Sequence, residues 1–220
     1  MSVQTDTEAG PLPRGRHRLS RAEVESSQYR RLCGAALVAV GEIGYAATTV
    51  ADIVARAQVA RRTFYAMFAG KDECFAAAYD FGVELGLRRV GEAIGEWGGG
   101  DFAARVRTSF EVYLGVLAAA PAATRAIYVE SLVAGGPLIA HRARLHHLFA
   151  EYVLGSARAG VAAGDLRAVP DPGLIDILLG GIDDRIRACL YDTGAAALPA
   201  LAPLFTRTAL ALCDARALPT

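Results

Sequence analysis

The residues from Gly44 to Glu73, GYAATTVADIVARAQVARRTFYAMFAGKDE, leave this chain few ways to fold. Thr49 with Asp52 three residues on is a capping-box start, in which two side chains satisfy the free N–H groups of a first helical turn. Val50, Ile53, Val54 and Ala57 then share one helical face, so a helix begins near Thr49. Gln58, Val59 and Ala60 break the run. Phe64 and Phe68 resume at helical spacing, with Val59 as a further apolar anchor, and predict a second short helix. Two short helices about a three-residue turn make a helix-turn-helix.

The front of the second helix carries Arg61, Arg62, Thr63 and Tyr65, and Lys71 follows it. An apolar back with a basic, hydroxylated front suits a DNA major groove: arginine pairs with guanine edges, while Thr, Tyr and Lys reach phosphates. Thr49, at the start of the first helix, sits where N–H groups meet a phosphate. The same hairpin also occurs in all-α proteins whose surface arginines are merely solvated, because fold alone does not fix function. Charge distribution bears on the choice. Formal charge is zero overall, yet residues 14 to 71 hold ten Lys/Arg against four Asp/Glu, a net of +6, and the remainder is acidic. Such segregation is the electrostatic footprint of a nucleic-acid reader whose other half does something else. Arg16 and Arg18, with Arg14 and His17, form a basic arm that either reaches a minor groove or is a solvated tail.

The rest of the chain is punctuated as helices. Ser20 with Glu23 is a capping box for a helix whose stripe is Tyr29, Leu32, Cys33, Ala36, Leu37 and Val40, with Gly44 expected as a left-handed cap. A further helix runs from about Lys71 through Leu87 and fades before Gly98. Asp101 caps the next, and Pro121 stops that one and starts another carrying Ile127, Tyr128, Leu132 and Val133. Gly135-Gly136-Pro137 breaks the chain, a long segment spans Leu138 to Ala163, and Gly164-Asp165 stops it. Asp171-Pro172 opens a helix over Ile175, Leu178, Leu179, Ile182, Ile186 and Leu190, and the last helix lies near Leu198 to Ala215. No alternating strand pattern survives, so the chain reads as all-α. At 53% apolar residues it has material for a core without staples. The final two helices are apolar over more than one narrow stripe, which suits burial on two sides, by their own domain and by a twin subunit.

The run GY, T-V-x-D-I-V-x-x-A, a Val turn, R-R-T-F-Y-x-x-F and K-D-E resembles the N-terminal domain of the TetR family of bacterial transcriptional regulators, over roughly residues 28 to 75. Two departures stand out. The family's turn usually opens with Gly where Gln58 stands, and Ser or Thr usually occupies the place of Ala60 as cap and phosphate contact. The resemblance implies three units: an arm over 1–19, a DNA-binding helix-turn-helix domain over 20–70, and a helical effector-binding and dimerisation domain over 71–220, with 71–97 as a connecting helix whose tilt transmits ligand binding. It implies a homodimer through the last two helices on a palindromic operator. It also implies an effector cavity with walls from Trp97, Phe110, Tyr113, Leu114, Tyr128, Phe149 and Tyr152. Asp183, Arg125, Glu130 and His146 are the candidate polar anchors, since such pockets are mostly apolar with few polar groups.

Other classes find little support. His147 and Glu151 are one helical turn apart, but without a dedicated third ligand they are expected to pair at the surface rather than hold a metal. Ser131 lacks a nucleophile-elbow context and there is no phosphate-binding glycine loop, so neither catalysis nor a cofactor is expected. Cys33, Cys74, Cys189 and Cys213 are widely spaced and expected to pack as small apolar residues, with Cys33 and Cys74 on helices that approach each other. No signal peptide and no uninterrupted membrane-spanning run is read, which predicts a soluble, cytoplasmic protein. The expected function is a ligand-responsive repressor, and the alternative is an activator or architectural DNA binder without a small-molecule effector.

Overall fold

A computed structural model describes residues 20–97 and 101–214, and among these every regular element is helical. α1 (Arg21–Ile43), α2 (Val50–Ala57) and α3 (Arg61–Met67) form the head. α4 (Lys71–Trp97) leaves it and ends before Gly98, the end expected of the connecting helix, with Val90 continuing its buried face past Leu87. α5 (Phe102–Ala119) starts on the Asp101 cap, whose carboxylate accepts the Ala104 N–H at 2.8 Å. α6 (Pro121–Val133) turns away at 105°. α7 (Gly136–Ala163) and α8 (Pro172–Asp192) pair as a hairpin, and a 3₁₀ segment, Ala195–Leu201, leads into α9 (Ala202–Asp214).

Local chemistry explains where the expectations held and where they did not. Both capping boxes form, Ser20 with Glu23 and Thr49 with Asp52. Gly44 has the positive φ expected of a cap, +85°, but its ψ of 153° is extended rather than left-handed helical. The α1–α2 turn is closed instead by Thr48, whose N–H and hydroxyl both reach the Gly44 carbonyl, at 3.1 and 2.7 Å. The last helix is not uniform from Leu198, because Pro199 has no N–H to donate and tightens its start into 3₁₀ turns. By length and a mean hydropathy of 1.4, Ala195–Cys213 is apolar enough to cross a bilayer, but Arg207 interrupts it. Its inner side, Leu198, Ala202 and Phe205, is buried in the core with Leu114 and Leu117 of α5.

The packing has no clean seam between head and body. The core holding Leu32, Ile53, Phe64 and Phe75 continues into Ala126 of α6 and Leu138 and Leu145 of α7. The tightest point is Gly41 of α1 on Ala122 of α6: a methyl group added at Gly41 would stand 1.8 Å from the Ala122 carbonyl oxygen. Gly82 of α4 plays a similar part between Leu37 and Ile127, each 2.9 Å from where its Cβ would be.

Candidate nucleic-acid interface and effector cavity

The helix-turn-helix is built around one residue in an unusual conformation. Gln58 has φ 51° and ψ 45°, the left-handed region, and among the described residues it is the one non-glycine with positive φ. Its N–H bonds to Ala55 O at 3.2 Å and that of Val59 to Val54 O at 3.1 Å, the Schellman pattern that stops a helix sharply. The Gln58 carbonyl, turned outward, accepts from Arg31 Nη2 at 2.9 Å, so α1 holds the turn that glycine would otherwise ease. At the start of α3, Ala60 supplies no side-chain cap.

α3 presents the front that the sequence predicts. Phe64 is fully buried and Phe68 nearly so, while Arg61, Arg62 and Tyr65 are exposed and Thr63 half-buried. Arg61 lies with its guanidinium 5.7 Å from the Tyr65 ring centroid and Nη2 3.4 Å from its hydroxyl, which orients both along one face. Thr49 is exposed and Lys71 half-buried, and the polar groups of both already have partners within the head. The Thr49 hydroxyl donates to Asp52 Oδ2 at 2.6 Å, and these contacts hold the Asp52 carboxyl below its ordinary range. Lys71 Nζ donates to the Tyr45 carbonyl at 2.8 Å and sits 4.4 Å from the centre of its ring. Arg16 and Arg18 lie outside the described residues, as does the side chain of Trp97.

A cavity of about 480 Å³ opens inside the body, walled by residues of α4 to α9. Phe110, Tyr113, Tyr128, Phe149, Tyr152, His146 and Asp183 line it. Leu114 does not: it points into the separate core with Ile186 and Leu198. Arg125 and Glu130 are not cavity anchors either. Glu130, 6% exposed, accepts from Arg125 Nη2 at 3.1 Å and, through Oε2, from the Tyr45 N–H at 3.0 Å, clasping the α1–α2 turn of the head. It belongs to a π-helical turn, Ala126–Glu130, that also carries Tyr128 into the cavity. The sequence also did not point to Tyr79, Arg142 and Arg187 as cavity residues, for Tyr79 reads as core and the two arginines as solvated charges.

Burial sets the electrostatics of this cavity. The Tyr113 and Tyr128 hydroxyls hydrogen-bond each other, and desolvation raises both phenols well above the ordinary tyrosine range. Tyr79 is pushed up to about 12 for the same reason. Desolvation also raises Asp183, against the opposing pull of Arg187, His146 and Arg142. Nothing here is arranged for metal binding: among the described residues no three His, Cys, Asp or Glu converge, and Glu151 meets Arg158 at 3.7 Å rather than His147. No disulfide joins the cysteines, and burial raises the Cys33 and Cys74 thiols to about 11 and about 12.

Residues 32–78 match the model of the bacterial regulatory proteins of the tetR family. No curated protein matches the chain. Among solved structures, the fatty acid degradation regulator FadR from Bacillus halodurans superposes with a TM-score of 0.74 at 16% identity, over 86% of this chain and 97% of that one. FadR from Bacillus subtilis, in complex with stearoyl-CoA, gives 0.72 at 18% identity, over 84% and 98%. TylP, a tetR regulator from Streptomyces fradiae, gives 0.65 at 21%, over 87% and 89%. The head, over residues 32–78, thus matches the tetR family of bacterial regulatory proteins, and the fold that carries it is the one these solved regulators share.

Proposed function

We propose that this DNA-binding regulator is a homodimeric repressor, released from a palindromic operator by a small, largely apolar effector. The observation that carries the reading is that one helix serves both ends. α4 holds Lys71 against the α1–α2 turn and, further along, contributes Tyr79, Val83, Leu87 and Val90 to the cavity wall. A ligand that shifts this wall shifts the head with it, and the Glu130 clasp adds a second link from α6. The volume falls within the range of small-molecule sites. The stearoyl-CoA held by the Bacillus subtilis FadR makes long apolar chains the first effectors to try.

Dimerisation has support in surface chemistry. Ile177 and Tyr191 on α8 are 73% and 65% exposed, with Leu174 exposed on the same helix and Leu204 exposed on α9, apolar surface of the kind that marks an interaction site. Two heads on a twofold axis require half-sites in inverted repeat. On the head, Arg61, Arg62 and Tyr65 are assigned to base edges and phosphates, with Thr49, Thr63 and Lys71 at the backbone.

Footprinting on the DNA upstream of its own gene tests this directly, followed by titration of apolar compounds against the bound complex. A protected inverted repeat that is lost as ligand saturates the protein is the expected result. Sequence-indifferent protection, or occupancy that no ligand changes while ligand demonstrably binds, would replace the reading with an architectural or activating one.

A further inference from the structure

The cavity is long and its two ends differ. Arg142 and Ser156 both line it from the single helix α7, and their spacing along a helix is about 21 Å. Toward the Ser156 end the walls are apolar, with Phe102, Val106, Val153 and Leu179. At the Arg142 end Asp183 and Arg187 face in from α8, and Asp183 interacts electrostatically with Arg142, Arg187 and His146 as well as with the phenols of Tyr79, Tyr113 and Tyr128. All the formal charge on the cavity wall is gathered at that one pole.

The pole is rich in donors and short of acceptors. Arg142 lines the cavity close enough to Tyr79 and Asp183 to act on both electrostatically, and it makes no salt bridge among the described residues. Arg187 has one long contact, 3.8 Å, with the largely exposed Asp184. His146 is engaged with Asp176 at 3.4 Å. Of the hydrogen-bonded phenols Tyr113 and Tyr128, only one O–H is used between them, so the other remains to donate, as does that of Tyr79. Against two guanidiniums and these hydroxyls stands the single carboxylate of Asp183, which leaves the pole one positive charge.

Resting on the reading of this cavity as the effector site, we propose that the effector is an elongated amphiphile with a monoanionic carboxylate head, seated between Arg142 and Arg187, its chain running toward Phe102. A carboxylate supplies the acceptors the pole lacks and neutralises its charge, and guanidinium–carboxylate contacts are among the strongest polar ones. An alcohol has too little charge, and an amine would meet two arginines.

Isothermal titration of the full chain, without DNA, with decanoate, decan-1-ol, decylamine and decanoyl-CoA below their micelle-forming concentrations tests the assignment. Decanoate is expected to bind about tenfold or more tighter than the alcohol and the amine, the worth of one or two charge-assisted hydrogen bonds. Arg142→Gln and Arg187→Gln should each lose that preference, with far-UV circular dichroism and thermal unfolding showing that the variants remain folded. Equal or tighter binding of alcohol or amine, binding of decanoyl-CoA but not decanoate, unaltered decanoate selectivity in both variants, or no binding of any of the four overturns the proposal. Because the measurement involves no operator, decanoate that binds but releases no DNA would count against the repressor reading and leave this one standing.

Discussion

Asp183 shows how a single carboxyl in this molecule works against its own stability. Desolvation raises it above the ordinary aspartate value of 3.8, so between that value and its folded one the native state holds more protons than the unfolded state. Its contribution is therefore most favourable below pH 3.8 and is lost as pH rises through the folded value. Asp183→Asn should melt higher than wild type at pH 7, with the gap closing as the pH is lowered, as thermal unfolding followed across a pH series will read. Arg61 answers a different question: Arg61→Ala should weaken specific operator binding by about 1–3 kcal/mol if it reads a base edge, and unchanged affinity in a gel-shift titration would remove it from that role. These two residues also mark what was legible. Arg61 opens a helix directly after a turn, and a guanidinium at such a helix start reads as outward even though its i,i+3 spacing sets it on the Phe64 side. The two cavity arginines have no such signature, since Arg142 and Arg187 read as ordinary solvated charges until the antiparallel pairing of α7 and α8 brings them together.

Among the elements, the head was legible because its punctuation is local. Capping boxes and a helix-breaking turn act within four residues, and the structure keeps both boxes and puts Gln58 in the strained conformation that a family glycine would take freely. α6 was not legible in the same way. Its π-helical turn inserts one residue into the helical period, which no run of side chains in Ala126–Glu130 announces, and it turns Glu130 from an expected ligand anchor into a clasp on the head. Gly41 was equally silent, an apparent weak point in α1 that in fact lets α6 approach backbone to backbone. Gly41→Ala should therefore cost about 3 kcal/mol or more in urea unfolding, beyond the usual overpacking range, although alanine is the better helix former by about 1 kcal/mol. A neutral or stabilising effect would show that α1 and α6 do not meet so closely in solution.

For the whole molecule, assembly is the property that a single chain leaves to be tested. Ile177 is the most exposed large apolar side chain of the outward face of α8. Ile177→Asp should convert the protein to a monomer in analytical ultracentrifugation and reduce operator affinity steeply, because one head alone reads only half a site. A dimer that survives this change would move the interface elsewhere. The continuous core between head and body has a consequence for fragments of the gene. Phe64 and Phe75 share their core with Ala126, Leu138 and Leu145, residues that a truncated product ending near residue 100 would lack. Such a product does not amount to a DNA reader freed from its regulator. A premature stop near codon 100 is thus expected to behave as a simple null allele, recessive in a merodiploid, and not as a dominant, permanently silencing one.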